Sequence, residues 1–409
     1  MKKKMLDWVS RFNIFCFLDN QSYSIQPQKF ECLLAVGARH LVSSGSLEEL
    51  DRFLQKHGSW AFGHLSYELK NQIHGIRSAK ADHIGFPTFS FFIPEILITI
   101  NDAGFSIDAE SPADIYNEIL NTIPENVELR YDFTIESKLT REAYIEKIKS
   151  LQQHILRGDC YEINFCQEFF AQGALIDPVS VYQKLSELSP NPFSVLYRLN
   201  HQYLLCASPE RFLARKGSLI ISQPIKGTSK RNLINKKEDE KQRLMLKESR
   251  KEKAENVMVV DLVRNDLTRI CKESSVKVDE LFGIYSFPQV HQMISTISGE
   301  LKEGINFSDI ISATFPMGSM TGAPKLRVME LIDEYEDSSR GIFSGSVGYI
   351  DPQENFDFNV VIRSIMYNAA SKYLSYQVGS GITFYSDPEK EWEECLLKGE
   401  AIRRVLTGH

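Results

Sequence analysis

Between Leu139 and Asp159 the chain reads "LTREAYIEKIKSLQQHILRGD". Tyr144, Ile148, Leu151 and Ile155 recur at i, i+4, i+7 and i+11, one stripe of a helix. Thr140 is placed to cap its start and Gly158 to end it. The pattern then changes period. "YEINFCQEFFA" (161–171), "FSVLYRL" (193–199), "QYLLCAS" (202–208) and "KGSLIIS" (216–222) read as strands. "FSFFIPEILITI" (89–100) reads as a strand pair broken at Pro94. Further strand runs lie at 341–350, 358–367 and 373–386. Asp387 and Pro388 then open a last helix as N-cap and first turn. Long antiparallel-looking strands with scattered helices predict an α+β layered fold, not alternating βαβ units. Turn clusters between residues 101 and 134 mark a boundary between an N-terminal region, 1–125, and a larger domain, 135–409. No internal repeat or low-complexity tract appears.

Two helices carry carboxylates on faces that should be apolar. In "KEKAENVMVVDLVRNDL" (251–267), Glu255, Met258, Val259 and Leu262 share a stripe, with Glu252 one turn earlier. Such carboxylates need a partner or a metal, unless they lie at the helix edge near its N-terminus. In the last helix Glu391, Glu394 and Lys398 share a face, which also fits an exposed Glu–Lys ladder. Two facing Glu-x-x-Glu elements would make an oxygen-rich site suited to magnesium.

Other segments offer anion contacts. "FPMGSMTGAPK" (315–325) is a Gly-rich loop feeding a helix, although it lacks the Walker A ending. "VGSGIT" (378–383) puts two glycines in a strand, the mark of a bulge or a close backbone approach. Arg363, on one side of the alternating "FNVVIRS", could clamp a carboxylate or be a surface cation. Lys226 in "QPIKGTSKR" follows a strand end. It is either a solvated cation in a lysine-rich loop or a reactive amine.

The 409 residues carry 43% hydrophobic and 25% charged residues and a net charge of −7. That is a globular composition with no overall basic field for nucleic acid. Asp7 and Arg11 interrupt the signal-like N-terminus, and no stretch of about 18 apolar residues predicts a membrane span. Seven cysteines, odd in number and without a Cys-x-x-Cys pair, point to a reduced, cytoplasmic protein. No histidine cluster has zinc spacing, and no nucleotide-binding glycine motif occurs.

Taken in order, "GDCYEINFCQEF", "SPERF", "PIKGT", "KEKAENVMVVDLVRNDL", "FPMGSMTGAPK", "RGIFSGSVGYI", "VVIRS", "GSGI" and "SDPEKEWEECLLK" resemble the chorismate-utilising enzymes. That family includes anthranilate, aminodeoxychorismate, isochorismate and salicylate synthases. The resemblance implies two large stacked antiparallel sheets with outer helices and a deep cleft that binds chorismate with magnesium. By motif, Glu255 and Glu394 look like the main metal ligands, with Glu252 and Glu391 beside them. Arg363, Lys398 and the Gly379–Ser380–Gly381 backbone look like carboxylate-binding groups. Ser319 and Thr228 look like cleft residues.

A lysine in the centre of "PIKGT" resembles the aminodeoxychorismate-forming members, in which it is the nucleophile. The resemblance then implies a covalent lysine intermediate, Glu210 as proton donor, and ammonia delivered from glutamine by a separate amidotransferase subunit. A neutral Lys226 requires a pKa depressed by its surroundings. Anthranilate synthase component I is the alternative, and a non-catalytic partner-binding homologue a further one. The chain departs from the family's usual residues at Glu162, Asn256 and Phe343.

Overall fold

Strands early in the chain bury both faces. Phe15 and Phe17 enter one core while Cys16 enters another, and Leu33 and Ala35 alternate with Leu34 and Val36 in the same way. This period of two explains why these segments read as continuous apolar runs. A computed structural model describes residues 1–23, 30–124, 132–287 and 290–408. The expected boundary at 125–134 lies mostly outside the described residues.

The described strands form two antiparallel sheets, one of eleven strands and one of ten. The first core takes Cys16, Leu33 and Ala35 from the eleven-stranded sheet and Phe62, Phe91 and Phe358 from the other, so the sheets are stacked. The helices Leu47–His57, Arg250–Ile270 and Phe307–Thr314 add to that core. The second core lies under the helices Lys2–Val9, Arg141–Arg157, Pro178–Leu188, Lys325–Tyr335 and Pro388–Thr407. The described residues before 125 contribute strands to both sheets. Ile14–Asp19 pairs with Phe193–Leu199, and Ala61–Leu65 pairs with Ser346–Ile350.

Most expected elements form. The Thr140 side chain accepts from Ala143 N, and Gly158 ends that helix in the left-handed region. Asp387 caps the last helix. Pro94 separates two strands, but Phe89–Ile93 and Ile96–Asn101 do not pair with each other. They belong to different sheets, because the break lets the chain cross from one layer to the other. Among the described residues no helix is long and apolar enough to cross a membrane.

Arg211 is almost fully buried and forms a bidentate pair with Asp357 on the neighbouring strand, at 2.8 and 2.9 Å. Breaking one side of such a pair leaves an uncompensated charge. Asp357→Ala should therefore lower stability by roughly 3–5 kcal/mol in denaturant titration. The double variant Arg211→Met/Asp357→Leu should be less damaged than the single one. Equal loss in both would contradict this account.

Candidate functional site

Lys226 belongs to a strand, Ile225–Lys230, and not to the loop expected from its surroundings. The strand pairs with Val290–Glu300 through a register shift between Ile225 and Thr228. Such a bulge re-aims a side chain, and here Lys226 is buried. Gly227 takes φ +91°, and a Cβ on it would meet Glu252 at 2.9 Å. Only glycine suits that position. Thr228 is exposed and stands outside the buried set.

Lys226 Nζ donates to Glu162 Oε1 at 2.7 Å. Glu162 is buried, and its other oxygen has no hydrogen-bond partner. The pair lies over Gly381, where an added Cβ would come within 2.6 Å of Glu162 Oε1 and 3.1 Å of Lys226 Nζ. The ladder between Tyr373–Ile382 and Glu162–Ala171 runs without a bulge. The glycines therefore serve close approach.

The expected depression of the Lys226 pKa is not found. Burial pushes it down, but Glu162, Glu255 and Glu210 outweigh burial and raise it above the usual lysine value. The surroundings are anionic, so the resting amine is charged. Glu210 shifts in the opposite sense to an ordinary surface carboxylate. Burial pushes its carboxyl up to about 7, against opposing effects from Ser319, Lys226 and Arg363. Arg363 is not inside a strand. It holds φ 52° just before Ser364–Asn368, and its guanidinium forms no hydrogen bond or ion pair among the described residues. Burial lowers its pKa and Glu210 opposes that.

Ser319 sits in the buried turn Gly318–Met320, its side chain beside the Glu210 carboxyl. Arg340 fixes this turn with every guanidinium N–H in use. It bonds Glu336 twice, Ser344 Oγ, Met320 O at 2.7 Å and Asn164 O at 2.9 Å. A small pocket backs the turn, with Glu210, Ser319 and Asp266 in its wall.

The four glutamates come from two helices, Arg250–Ile270 and Pro388–Thr407. Glu255 and Glu391 are buried, whereas Met258 and Leu262 are only half-buried. The buried stripe of the first helix is centred on Asn256, Val259, Val260 and Val263, so Glu255 lies at its edge. Burial pushes Glu255 up to about 7 and also raises Glu252. Glu394 is held low despite burial by Lys398, whose Nζ lies 2.7 Å away and also donates to Gly379 O at 3.0 Å. Lys226 acts electrostatically on Glu210, Glu255, Glu252 and Glu394, which joins both halves of the site. Among the described residues no three His, Cys, Asp or Glu side chains stand close enough to hold an ion as they are. The donor chemistry nonetheless fits a hard cation. Glu255 Oε1 and Glu391 Oε2 are buried without hydrogen-bond partners, and all four donors are carboxylates.

The departures take definite roles. Glu162 is the partner of Lys226. Asn256 Oδ1 accepts from Ser295 Oγ at 2.6 Å, and Phe343 packs in the core. Sequence reasoning missed Glu162 as that partner, and missed Lys251, which stands between Glu255 and Glu391. A carboxylate in an apolar strand run, and a lysine four residues before Glu255, were the available signals.

Residues 18–404 match the family model for chorismate binding enzymes. The chain is 35% identical over 350 residues to aminodeoxychorismate synthase component 1 of Escherichia coli, covering 85% of this chain and 76% of that one. It is 39% identical over 277 residues to a probable chloroplastic aminodeoxychorismate synthase of rice, covering 67% of this chain but 30% of that longer one. Anthranilate synthase component I from Streptococcus pneumoniae superposes with a TM-score of 0.82 at 23% identity, over 93% and 94% of the two chains. A menaquinone-specific isochorismate synthase from Escherichia coli superposes at 0.79 with 17% identity, over 98% and 91%. The stacked sheets thus recur in a known fold, and the chain belongs to the chorismate binding enzyme family.

Proposed function

We propose that the chain is the chorismate-aminating component of an aminodeoxychorismate synthase, acting through a covalent bond to Lys226 and supplying 4-aminobenzoate and folate synthesis. One observation carries the reading: a buried lysine lies among carboxylates, one of which, Glu210, is poised near neutrality. The names of the similar proteins support the same reaction. Lys226 weighs against anthranilate formation, in which ammonia attacks without a lysine nucleophile. Arg363 would clamp a substrate carboxylate through its unoccupied guanidinium. Glu255, Glu391, Glu394 and Glu252 would hold magnesium, which when bound would fix a substrate carboxylate and accept developing charge.

Lys226 must first lose a proton, and Glu162 at 2.7 Å is the acceptor within reach. The neutral amine attacks the ring carbon next to the carboxylate-bearing one. The ring hydroxyl leaves as water, taking its proton from Glu210. Ammonia then bonds to the vacated carbon and the C–N bond to Lys226 breaks. The amino product gives up the proton that restores Glu210, and Lys226 recovers its own from Glu162. The "component 1" of the relatives' names supports a second subunit as the ammonia source. The buried free cysteines support a reducing, cytoplasmic setting.

Lys226→Ala should lower kcat at least about 100-fold with a smaller change in KM, because the side chain acts beyond the ground state. Wild type given chorismate without ammonia should show an adduct on Lys226 by intact mass. Near-wild-type turnover in the variant would remove Lys226 as nucleophile.

Glu210 yields a prediction with a definite sign. Its folded pKa lies above the unfolded carboxyl value, so the folded chain holds a proton that the unfolded chain releases between about 4.5 and 7. The stability this contributes is lost as pH rises through that window. Glu210→Gln should melt a few degrees higher than wild type at pH 8 and at the same temperature near pH 4, while turnover falls about 100-fold or more. Identical melting differences at both pH values would refute the assignment.

The purified chain should use ammonium and leave glutamine unused. Glutamine-driven product from the chain free of any glutaminase would refute the two-subunit reading.

A further inference from the structure

Lys251 has no role in the chemistry above. It lies four residues before Glu255, in the first turn of the Arg250–Ile270 helix. Its Nζ stands 3.8 Å from Glu255 Oε1 and 3.6 Å from Glu391 Oε1. These are ion-pair distances, too long for hydrogen bonds. The two carboxylates it spans come from different helices, are buried, and each keep an oxygen without a hydrogen-bond partner. Lys251 itself is 51% exposed. Glu394 already has Lys398, and Glu255 also feels Lys226, so Lys251 is the cation that stands between Glu255 and Glu391.

Two buried carboxylates facing each other repel unless a cation stands between them. A lysine at these distances cancels the repulsion but leaves the oxygens unsatisfied. A divalent ion that takes oxygen ligands at about 2.0–2.1 Å would satisfy them. An ammonium and a divalent cation cannot share so small a space without strong repulsion.

We infer that Lys251 is the resident counter-ion of the glutamate site, holding Glu255 and Glu391 together when no divalent cation is bound and withdrawing to solvent when one enters. The inference rests on the metal reading given above. The half-exposed ammonium on its flexible stem can leave without burying or stranding a charge. Lys251 thereby steadies the empty site and weakens metal affinity.

Calorimetric titration of magnesium chloride into the full chain, with melting in chelator, tests this. Lys251→Gln should bind magnesium about tenfold more tightly than wild type, and it should melt at a lower temperature in chelator. Lys253→Gln removes the same charge two residues on, where Nζ lies 5.8 Å from the Phe282 ring centroid. Its magnesium affinity should stay within about twofold of wild type, since a solvent-accessible charge directed away from the carboxylates is largely screened. If Lys251→Gln binds no more tightly, or Lys253→Gln tightens equally, Lys251 is not the counter-ion and the metal reading stands. If wild type binds no magnesium at millimolar concentration, the metal reading falls and takes this inference with it.

Discussion

The contact between Lys226 and Glu162 crosses from one sheet to the other. Lys226 stands on an edge strand of the ten-stranded sheet, and Glu162 begins a strand of the eleven-stranded one. A buried ion pair survives only when geometry offsets the loss of water around both charges. The surrounding features serve that geometry. The bulge aims the lysine, Gly227 admits Glu252, and Gly381 leaves the pair its room. The cleft is therefore built around a charge pair, with the apolar cores on either side keeping the two sheets in place.

The remaining charges are arranged around that pair in unequal states. Glu210 has its pKa pushed up to about 7, Glu394 is held ionised by Lys398, and Arg363 carries a guanidinium with no bonded partner among the described residues. Such asymmetry among neighbouring groups is what acid–base chemistry needs. It costs stability, because carboxylate oxygens of Glu162, Glu255 and Glu391 are buried without hydrogen-bond partners among the described residues. In the proposed reaction a dianionic substrate and a hard cation would be the complementary charges.

Much of this was legible in the sequence, for physical reasons. The Thr140 cap, the Gly158 stop and the Asp387 cap are local, and local rules found them. The glutamates stood out because a carboxylate near an apolar stripe is costly. What failed was long-range. Nothing local says that strands 89–93 and 96–101 go to different sheets. The Lys226 pKa went the wrong way because Glu162 lies 64 positions from it in sequence and meets it only through the stacking of the sheets. Arg363 was read as a strand residue because alternation cannot reveal a single left-handed φ. Thr228 was carried over by motif, but the bulge leaves it exposed.

The order of strands has a consequence for the chain as it leaves the ribosome. Tyr373–Ile382 lies inside the eleven-stranded sheet, between Glu162–Ala171 and Ser364–Asn368. Ile14–Asp19, among the first strands made, waits for Phe193–Leu199. Contacts so distant in sequence form late and slowly. Neither sheet reaches its full set of strands until most of the chain has been synthesised, and Glu391, Glu394 and Lys398 emerge after both. A nascent chain therefore has the lysine long before it has the carboxylates of the last helix, and its apolar strands need shielding in the interval.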